Sequence, residues 1–185
     1  MEPAVRPSLF SQITVQHGPA ALLGRVFLLC EAQLRERGVM LAFADMPQLL
    51  VVNAANSDSW APLWSGFNPA FSYLTPDNSF CILGYDRHGA VVATQAARFL
   101  DWPDTTYQRE AESLRLMYAD PEASKLPGEQ CRVTALAARG VTGRVVNTGA
   151  GWYRRDFRGK GLVSLLPRMA RALAYTRWGT DCSVP

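Results

Sequence analysis

Residues 158–162, which read Arg-Gly-Lys-Gly-Leu, combine glycines and cations at a spacing that suits an anionic ligand. A predicted strand over residues 143–153 runs into this segment, and a predicted helix over residues 162–177 follows it. The first N–H groups of a helix have no partner within the helix, and the helix dipole adds partial positive charge there. Glycine lets the backbone approach a ligand closely or adopt a positive φ. The segment therefore predicts a site for a group of the size and charge of a pyrophosphate.

Positive charge is concentrated in the same part of the chain. The 185 residues carry a net charge of +3, and residues 154–177 contain seven Lys or Arg side chains against one acid, Asp156. The rest of the chain is slightly acidic, so the pattern indicates an anionic ligand near the basic segment. A Walker-type nucleotide site is excluded, because Lys160 is followed by Gly161 and not by Ser or Thr.

The basic segment resembles the acetyl-coenzyme A motif of the GCN5-related N-acetyltransferases. That motif reads Arg or Gln, two residues, Gly, one residue, and then Gly or Ala. Arg158 and Gly161 match it, and Asp156 and Phe157 match the acid and the aromatic residue that commonly precede it. The resemblance covers residues 143–177. It departs from the family at Val163, where Gly or Ala is usual, and at Arg155, where Pro is common.

The resemblance implies roles for nine residues. In the family, backbone groups at the end of the motif strand bond the pantetheine arm, and amides of the loop and helix start hold the pyrophosphate. The first set corresponds here to Gly151, Trp152 and Tyr153, and the second to Arg158, Gly159, Lys160, Gly161, Leu162 and Val163. Arg168 and Arg171 follow on the motif helix, where they either meet phosphates or face water.

The implied fold is a mixed α/β domain with a mostly antiparallel sheet flanked by helices. The length of the chain predicts one domain over residues 1–185. We expect residues 104–140 to be an insertion between two sheet strands that covers the acceptor site. The family continues after the motif helix with a strand, a helix and two more strands. Little sequence follows Thr180, so we expect these C-terminal strands to be missing. The unpaired sheet edge that remains favours a homodimer.

Local patterns place the other elements. They predict a short strand over residues 12–16, a helix over 20–37, a hairpin of strands 79–85 and 90–100, and a helix over 105–118. Residues 49–54 are apolar, and their pattern favours neither helix nor strand. Pro167 lies inside the predicted motif helix, where proline is disfavoured, so we expect a kink or a late helix start near Ser164.

The implied activity is transfer of an acetyl group from acetyl-CoA to a primary amine by direct attack, with acetyl-CoA as cosubstrate. Two alternatives stay open. One is a non-catalytic acyl-CoA-binding or regulatory module, which the missing C-terminal strands favour. The other is nucleic-acid binding through the Arg-rich segment, which is disfavoured because aromatic and basic residues do not interleave beyond Tyr153 and Phe157.

No catalytic residue is assigned from the sequence. Glu110 and Glu112 lie on the predicted helix of the insertion, where acids are usually solvated, and Tyr153 lies on a strand, where tyrosine usually packs. A second group consists of aromatic side chains that either line an acceptor pocket or fill a core: Trp60, Trp64, Phe67 and Phe71. His17 and His88 stand beside glycines in predicted turns.

Other classes of protein are excluded by composition. Four cysteines without a CxxC pair, together with two histidines, argue against a metal site. No apolar run is long enough to span a bilayer, and the N-terminus from Met1 to Pro3 lacks the pattern of a secretory signal, so the cytoplasm is the expected compartment. The preference for Arg over Lys indicates a GC-rich, bacterial genome.

Overall fold

A computed structural model describes residues 8–185, and a five-stranded sheet forms their centre. The strands lie in the order β1-β2-β3-β4-β5; the first four pair antiparallel, and β5 pairs parallel with β4. Their bounds are β1 Met40–Ala44, β2 Ser79–Tyr85, β3 Val91–Trp102, β4 Gly143–Tyr153 and β5 Cys182–Val184. This arrangement confirms the predicted mixed fold with a mostly antiparallel sheet.

Five α-helices accompany the sheet in the described part of the chain. They are α1 Ala20–Glu36, α2 Met46–Ala55, α3 Tyr107–Glu112, α4 Pro121–Ser124 and α5 Leu162–Trp178. The start of α2 is specified locally, because Asp45 and Gln48 form a reciprocal capping box. The end of α5 is specified by Gly179, which is left-handed with φ 56°. None of the helices in residues 8–185 is long and apolar enough to cross a membrane.

The two faces of the sheet carry different layers. Helices α1 and α5 cover one face, where Ile82 and Val146 belong to the same core as Leu34 and Leu166. The residues directly before Ile82 and Val146 point to the opposite face of the sheet. Cys81 therefore packs with α2 and the loop that follows it, and Val145 packs with the insertion. Since α5 starts directly after the motif, this layering places the motif at one end of the sheet.

The strand after α5 corrects one expectation. We predicted that the strands beyond the motif helix are missing, but Cys182–Val184 forms β5 and pairs with β4 at Val145–Asn147. Asp181 supports this pairing, since its backbone N–H donates to the Arg144 carbonyl and its carboxylate accepts from the Arg144 N–H. The first of the expected strands is therefore present.

One predicted element is wrong and another is shorter than predicted. Residues 12–16 form no strand, because the N–H groups of Gln16 and His17 donate to the Thr176 carbonyl at the end of α5 and not to a strand. The helix predicted over 105–118 stops at Glu112, because Leu114 adopts a left-handed φ of 63°.

The motif helix begins at Leu162, with Pro167 inside it, and not near Ser164. Residues 49–54, whose state the sequence left open, belong to α2. The prediction about the signal-free N-terminus at Met1 to Pro3 falls outside the described residues.

Candidate functional site: the motif loop and the open edge of β4

A bulge interrupts the pairing of β4 with β3 just before the motif. The register shifts between Thr94 and Ala96 of β3, and Ala150 on β4 has a φ of 52°. The Thr94 hydroxyl holds the bulge, since it donates to the Ala150 carbonyl at 2.7 Å and accepts from the Trp152 N–H at 3.2 Å. The Gln95 side-chain amide donates to the Gly149 carbonyl at 3.0 Å. The chain therefore holds this irregular backbone in place with two side chains from β3.

Among residues 8–185, no strand lies beside the opposite edge of β4 over its last six residues. In the described chain, β5 pairs only with Val145–Asn147. The Arg154 N–H donates to the Val92 carbonyl, and bonded and non-bonded pairs alternate along an antiparallel ladder. The backbone groups of Tyr153 therefore point to the open edge. The Tyr153 carbonyl there accepts from Arg158 Nε at 3.0 Å, while its N–H has no partner among residues 8–185.

The loop after β4 presents a row of unpaired amides. A short 3-10 turn over Arg155–Phe157 leads into it, and Phe157 anchors the turn by its buried ring. No backbone or side-chain acceptor of the described residues binds the N–H groups of residues 159–163. Gly159 and Gly161 are left-handed, with φ values of 78° and 74°. The positive end of the 17-residue helix α5 therefore faces solvent with its amides free.

The amide of Arg158 differs from those that follow it. Its N–H donates to the Arg155 carbonyl at 3.3 Å within the 3-10 turn. Of the six amides that the sequence predicted for the pyrophosphate, five are unpaired. On the strand side, the Trp152 N–H donates to the Thr94 hydroxyl, and by the same alternation the backbone groups of Trp152 point to β3 and not to the open edge.

Three cations surround the loop, and one of them was missed by sequence reasoning. Arg158 folds back onto β4, and Lys160 Nζ lies 4.0 Å from the centre of the Phe157 ring. The third is Arg37, from the end of α1, whose Nε donates to the Lys160 carbonyl at 2.8 Å. Arg37 is 123 residues from Lys160 in the chain, and no motif surrounds it. Only the packing of α1 on α5 brings it to the loop.

Six of the nine residues predicted for the site line one cleft of about 390 Å³, and Gly151, Trp152 and Lys160 do not line it. Its wall includes Tyr153, Arg158, Gly159, Gly161, Leu162 and Val163. Burial raises the pKa of Tyr153 to about 12, since its ring packs against the core under α1 and α5. The cleft thus combines free amides, positive charge and an apolar floor, which suits a ligand with both a diphosphate and an apolar part.

The candidate bases of the insertion lie outside this cleft. Glu110 is buried and not solvated as predicted, and its carboxylate accepts from Arg115 at 2.8 Å and from the Thr105 hydroxyl at 2.7 Å. The Arg115 hydrogen bond holds the pKa of Glu110 below its usual range. Glu112 is exposed and accepts from Gln108. No catalytic base is assigned.

A second cleft, also of about 390 Å³, lies on the sheet face opposite α5. Its floor is the β4 segment from Asn147 to Ala150, and the insertion closes one side. Phe67 packs so tightly on this floor that a Cβ atom on Gly149 would lie 2.5 Å from its ring. Trp64 forms part of the wall.

The other two aromatic residues of that loop have different neighbours. Trp60 stacks on Trp152 at 5.5 Å, and Phe71 packs edge-on against Tyr118. Two of the four aromatic residues therefore line a cleft, and two pack elsewhere.

His88 lies exposed in the hairpin turn, and His17 lies against Gly179. Among residues 8–185, no group of three His, Cys, Asp or Glu side chains could hold a metal ion.

Comparisons with known proteins return similar structures but no sequence relatives. No protein-family model matches the chain, and no curated protein matches it. A predicted acetyltransferase with acetyl-CoA from Clostridium acetobutylicum is 14% identical, with 80% of each chain covered and a TM-score of 0.41. A GCN5-related N-acetyltransferase from Ralstonia eutropha is 14% identical, with 80% of this chain and 82% of that chain covered and a TM-score of 0.42.

A ribosomal-protein-alanine N-acetyltransferase from Brucella melitensis biovar Abortus is also similar. It is 13% identical, with 79% of this chain and 77% of that chain covered and a TM-score of 0.38.

Proposed function

We propose that this protein is an N-acetyltransferase that transfers an acetyl group from acetyl-CoA to a primary amine. The observation that supports the proposal is the run of unpaired amides at residues 159–163, beside the open edge of β4. Backbone amides at a helix start bind phosphate oxygens, and the charges of Arg37 and Lys160 add to their attraction. The Tyr153 N–H on the open strand edge can donate to an amide carbonyl of an extended pantetheine arm.

The reaction needs few groups from the protein once both substrates are held. The amine lone pair attacks the thioester carbonyl carbon, so that a C–N bond forms and the electron pair of the C–S bond leaves with sulfur. The amine loses one proton, and the thiolate takes up one proton. Holding the two reactants together supplies much of the rate. An unpaired backbone N–H on the edge of β4 would stabilise the negative charge that develops on the carbonyl oxygen.

Calorimetry with acetyl-CoA tests the donor half of the proposal. We expect the wild-type protein to bind acetyl-CoA and the double variant Arg158→Glu/Gly161→Asp to lose binding. Both positions lie exposed on the loop, so the fold should be kept, and thermal melting checks this. Equal affinity of the two proteins would refute the donor site.

A second candidate function is a non-catalytic acyl-CoA-binding module. The observation in its favour is that neither cleft has a carboxylate or imidazole side chain among its described lining residues. The two functions differ in turnover. An acetyltransferase releases free CoA thiol in an amine-dependent way, whereas a binding module keeps acetyl-CoA intact with every amine tested.

A further inference from the structure

The outward face of α1 exposes apolar side chains. The inward face packs in the core through Leu23, Phe27 and Leu34, as in an amphipathic helix. On the other side, three leucines are more than half exposed: Leu22 at 58%, Leu28 at 53% and Leu29 at 59%. We define the outer face of α1 as these leucines together with four other exposed residues: Ala21, Arg25, Ala32 and Glu36. At 3.6 residues per turn, all seven fall within about a third of the helix circumference. Apolar side chains gathered on one exposed face indicate an interaction surface.

Two charges of opposite sign lie on this face without partners. Arg25 and Glu36 are exposed, and among residues 8–185 neither side chain forms a hydrogen bond or an ion pair. They are eleven residues apart, so they point in nearly the same direction and lie about 16 Å apart along the helix axis. At that distance Arg25 and Glu36 of one chain do not pair with each other.

The outer face of α1 matches a second copy of itself in an antiparallel pairing. A two-fold axis between residues 30 and 31 places Arg25 opposite Glu36 of the second copy, and Glu36 opposite Arg25 of the second copy. The same axis places Leu29 opposite Ala32 of the second copy, so a large side chain meets a small one at the centre of the contact. The two helix dipoles then oppose each other, which is also favourable. Each copy therefore supplies the partner that the charges of the other copy lack.

Other pairings of the same face leave the charges unmatched. A parallel two-fold pairing sets Arg25 against Arg25 of the second copy, and Glu36 against Glu36, so that like charges meet. An antiparallel pairing about an axis between residues 28 and 29 sets Arg25 against Ala32 and Glu36 against Ala21. Among the arrangements that bury the leucines, the charges therefore select the register centred between residues 30 and 31.

We propose that this protein forms a weak homodimer through the outer face of α1, with the two helices antiparallel and two Arg25–Glu36 ion pairs across the two-fold axis. The dimer is weak because a 17-residue helix is about 25 Å long, and one pair of such helices buries less than the roughly 1,600 Å² of a standard interface. The contact lies on a helix face and not at the sheet edge that the sequence favoured. No residue of α1 lines the motif cleft or the second cleft in the described chain, so the inference does not depend on the proposed function.

Sedimentation equilibrium with charge-reversal variants tests the register. We expect the wild-type protein to dimerise with a Kd of about 10–100 μM, measured over loading concentrations of about 1–300 μM. Arg25→Glu creates two like-charge contacts per dimer, and so does Glu36→Arg, so each variant alone should raise the Kd at least about tenfold. An equimolar mixture of the two variants should recover the dimer. One copy then carries acids at both positions and the other carries arginines, so the mixed dimer regains two ion pairs.

A matched pair of leucine variants tests the apolar part of the contact. Leu29→Glu places a carboxylate at the centre of the interface and should also abolish the dimer. Leu136→Glu makes the same change at a leucine that is 77% exposed and lies outside α1, so it should leave the Kd unchanged. All four substituted positions are exposed, so the fold should be kept, and thermal melting checks this.

Three results would overturn the proposal. They are a wild-type protein that stays monomeric at every concentration, a dimer that survives charge reversal, and a mixture of the two reversed variants that stays monomeric. Acetyl-CoA binding by Arg25→Glu is measured in parallel and should match that of the wild-type protein, because Arg25 lies outside both clefts. Failure of the wild-type protein to bind acetyl-CoA refutes the proposed function and leaves the dimer proposal standing.

Discussion

Substituting Gly161 by Asp isolates the role of charge at the motif loop, with Gly161→Asn as its matched control. Gly161 has a φ of 74°, and a Cβ atom there would meet nothing closer than Arg37 Nε, at 4.0 Å. The site therefore has room for either side chain. Asn and Asp are the residues that best tolerate left-handed backbone, so both variants carry a similar backbone cost. They differ by one negative charge beside the free amides.

The size of the effect follows from Coulomb's law. A carboxylate about 5 Å from a diphosphate with two charges, at an effective dielectric constant of about 40, opposes binding by about 3 kcal/mol. This free energy corresponds to a loss of roughly 150-fold in affinity. The Gly161→Asn variant keeps the amides and adds no charge, so its loss should stay below about tenfold.

Calorimetry with acetyl-CoA at low and high salt provides the assay. The difference between the two variants should shrink at about 1 M salt, because the Debye length falls to about 3 Å. Thermal melting of both variants checks that they fold alike. Equal affinities for the Asp and Asn variants would refute the reasoning, since a diphosphate bound at these amides must sense the added charge.

Three further changes test the framework around the sites. Thr94→Val should lower the free energy of unfolding by about 2 kcal/mol in urea titrations, since two buried backbone groups of the bulge lose their partner. Pro167→Ala should raise it by about 1–2 kcal/mol, because the alanine N–H can donate to the Val163 carbonyl; a loss would contradict this. The advantage of wild type over Glu110→Gln should shrink as pH falls below about 4, because the Arg115 hydrogen bond lowers the pKa of Glu110 and its contribution is lost on protonation; growth of the advantage in acid would contradict this.

The elements that follow from local patterns were predictable. The hairpin of β2 and β3 is marked by β-rich runs around Asp86-Arg-His-Gly89, and Asp86 accepts from two N–H groups of the turn. The motif strand, its glycine turn and helix α5 agree with the predicted bounds to within one residue. These segments are specified by nearby residues, so a single sequence contains the information.

The failures share a different cause. The helix predicted over 105–118 has a helical apolar pattern, but tertiary packing holds Leu114 buried with a left-handed backbone. The segment at residues 12–16 alternates like a strand, yet it attaches to the end of α5, more than 150 residues away. Arg37 reaches the Lys160 carbonyl, and Arg98 the carbonyls of Gly66 and Leu116, only through contacts across the fold.

The bulge in β4 explains how one strand can serve two sites on different sides of the sheet. Asn147 and Gly149 form part of the floor of the second cleft, and Tyr153 lines the motif cleft. At about 3.3 Å per residue, Asn147 and Tyr153 are about 20 Å apart along the strand. Under the proposed function, a donor with its diphosphate at residues 159–163 would extend an arm along the open edge to bring its thioester to the second cleft. Among the described residues, no strand pairs with that edge beyond Asn147, so an extended arm has room beside it.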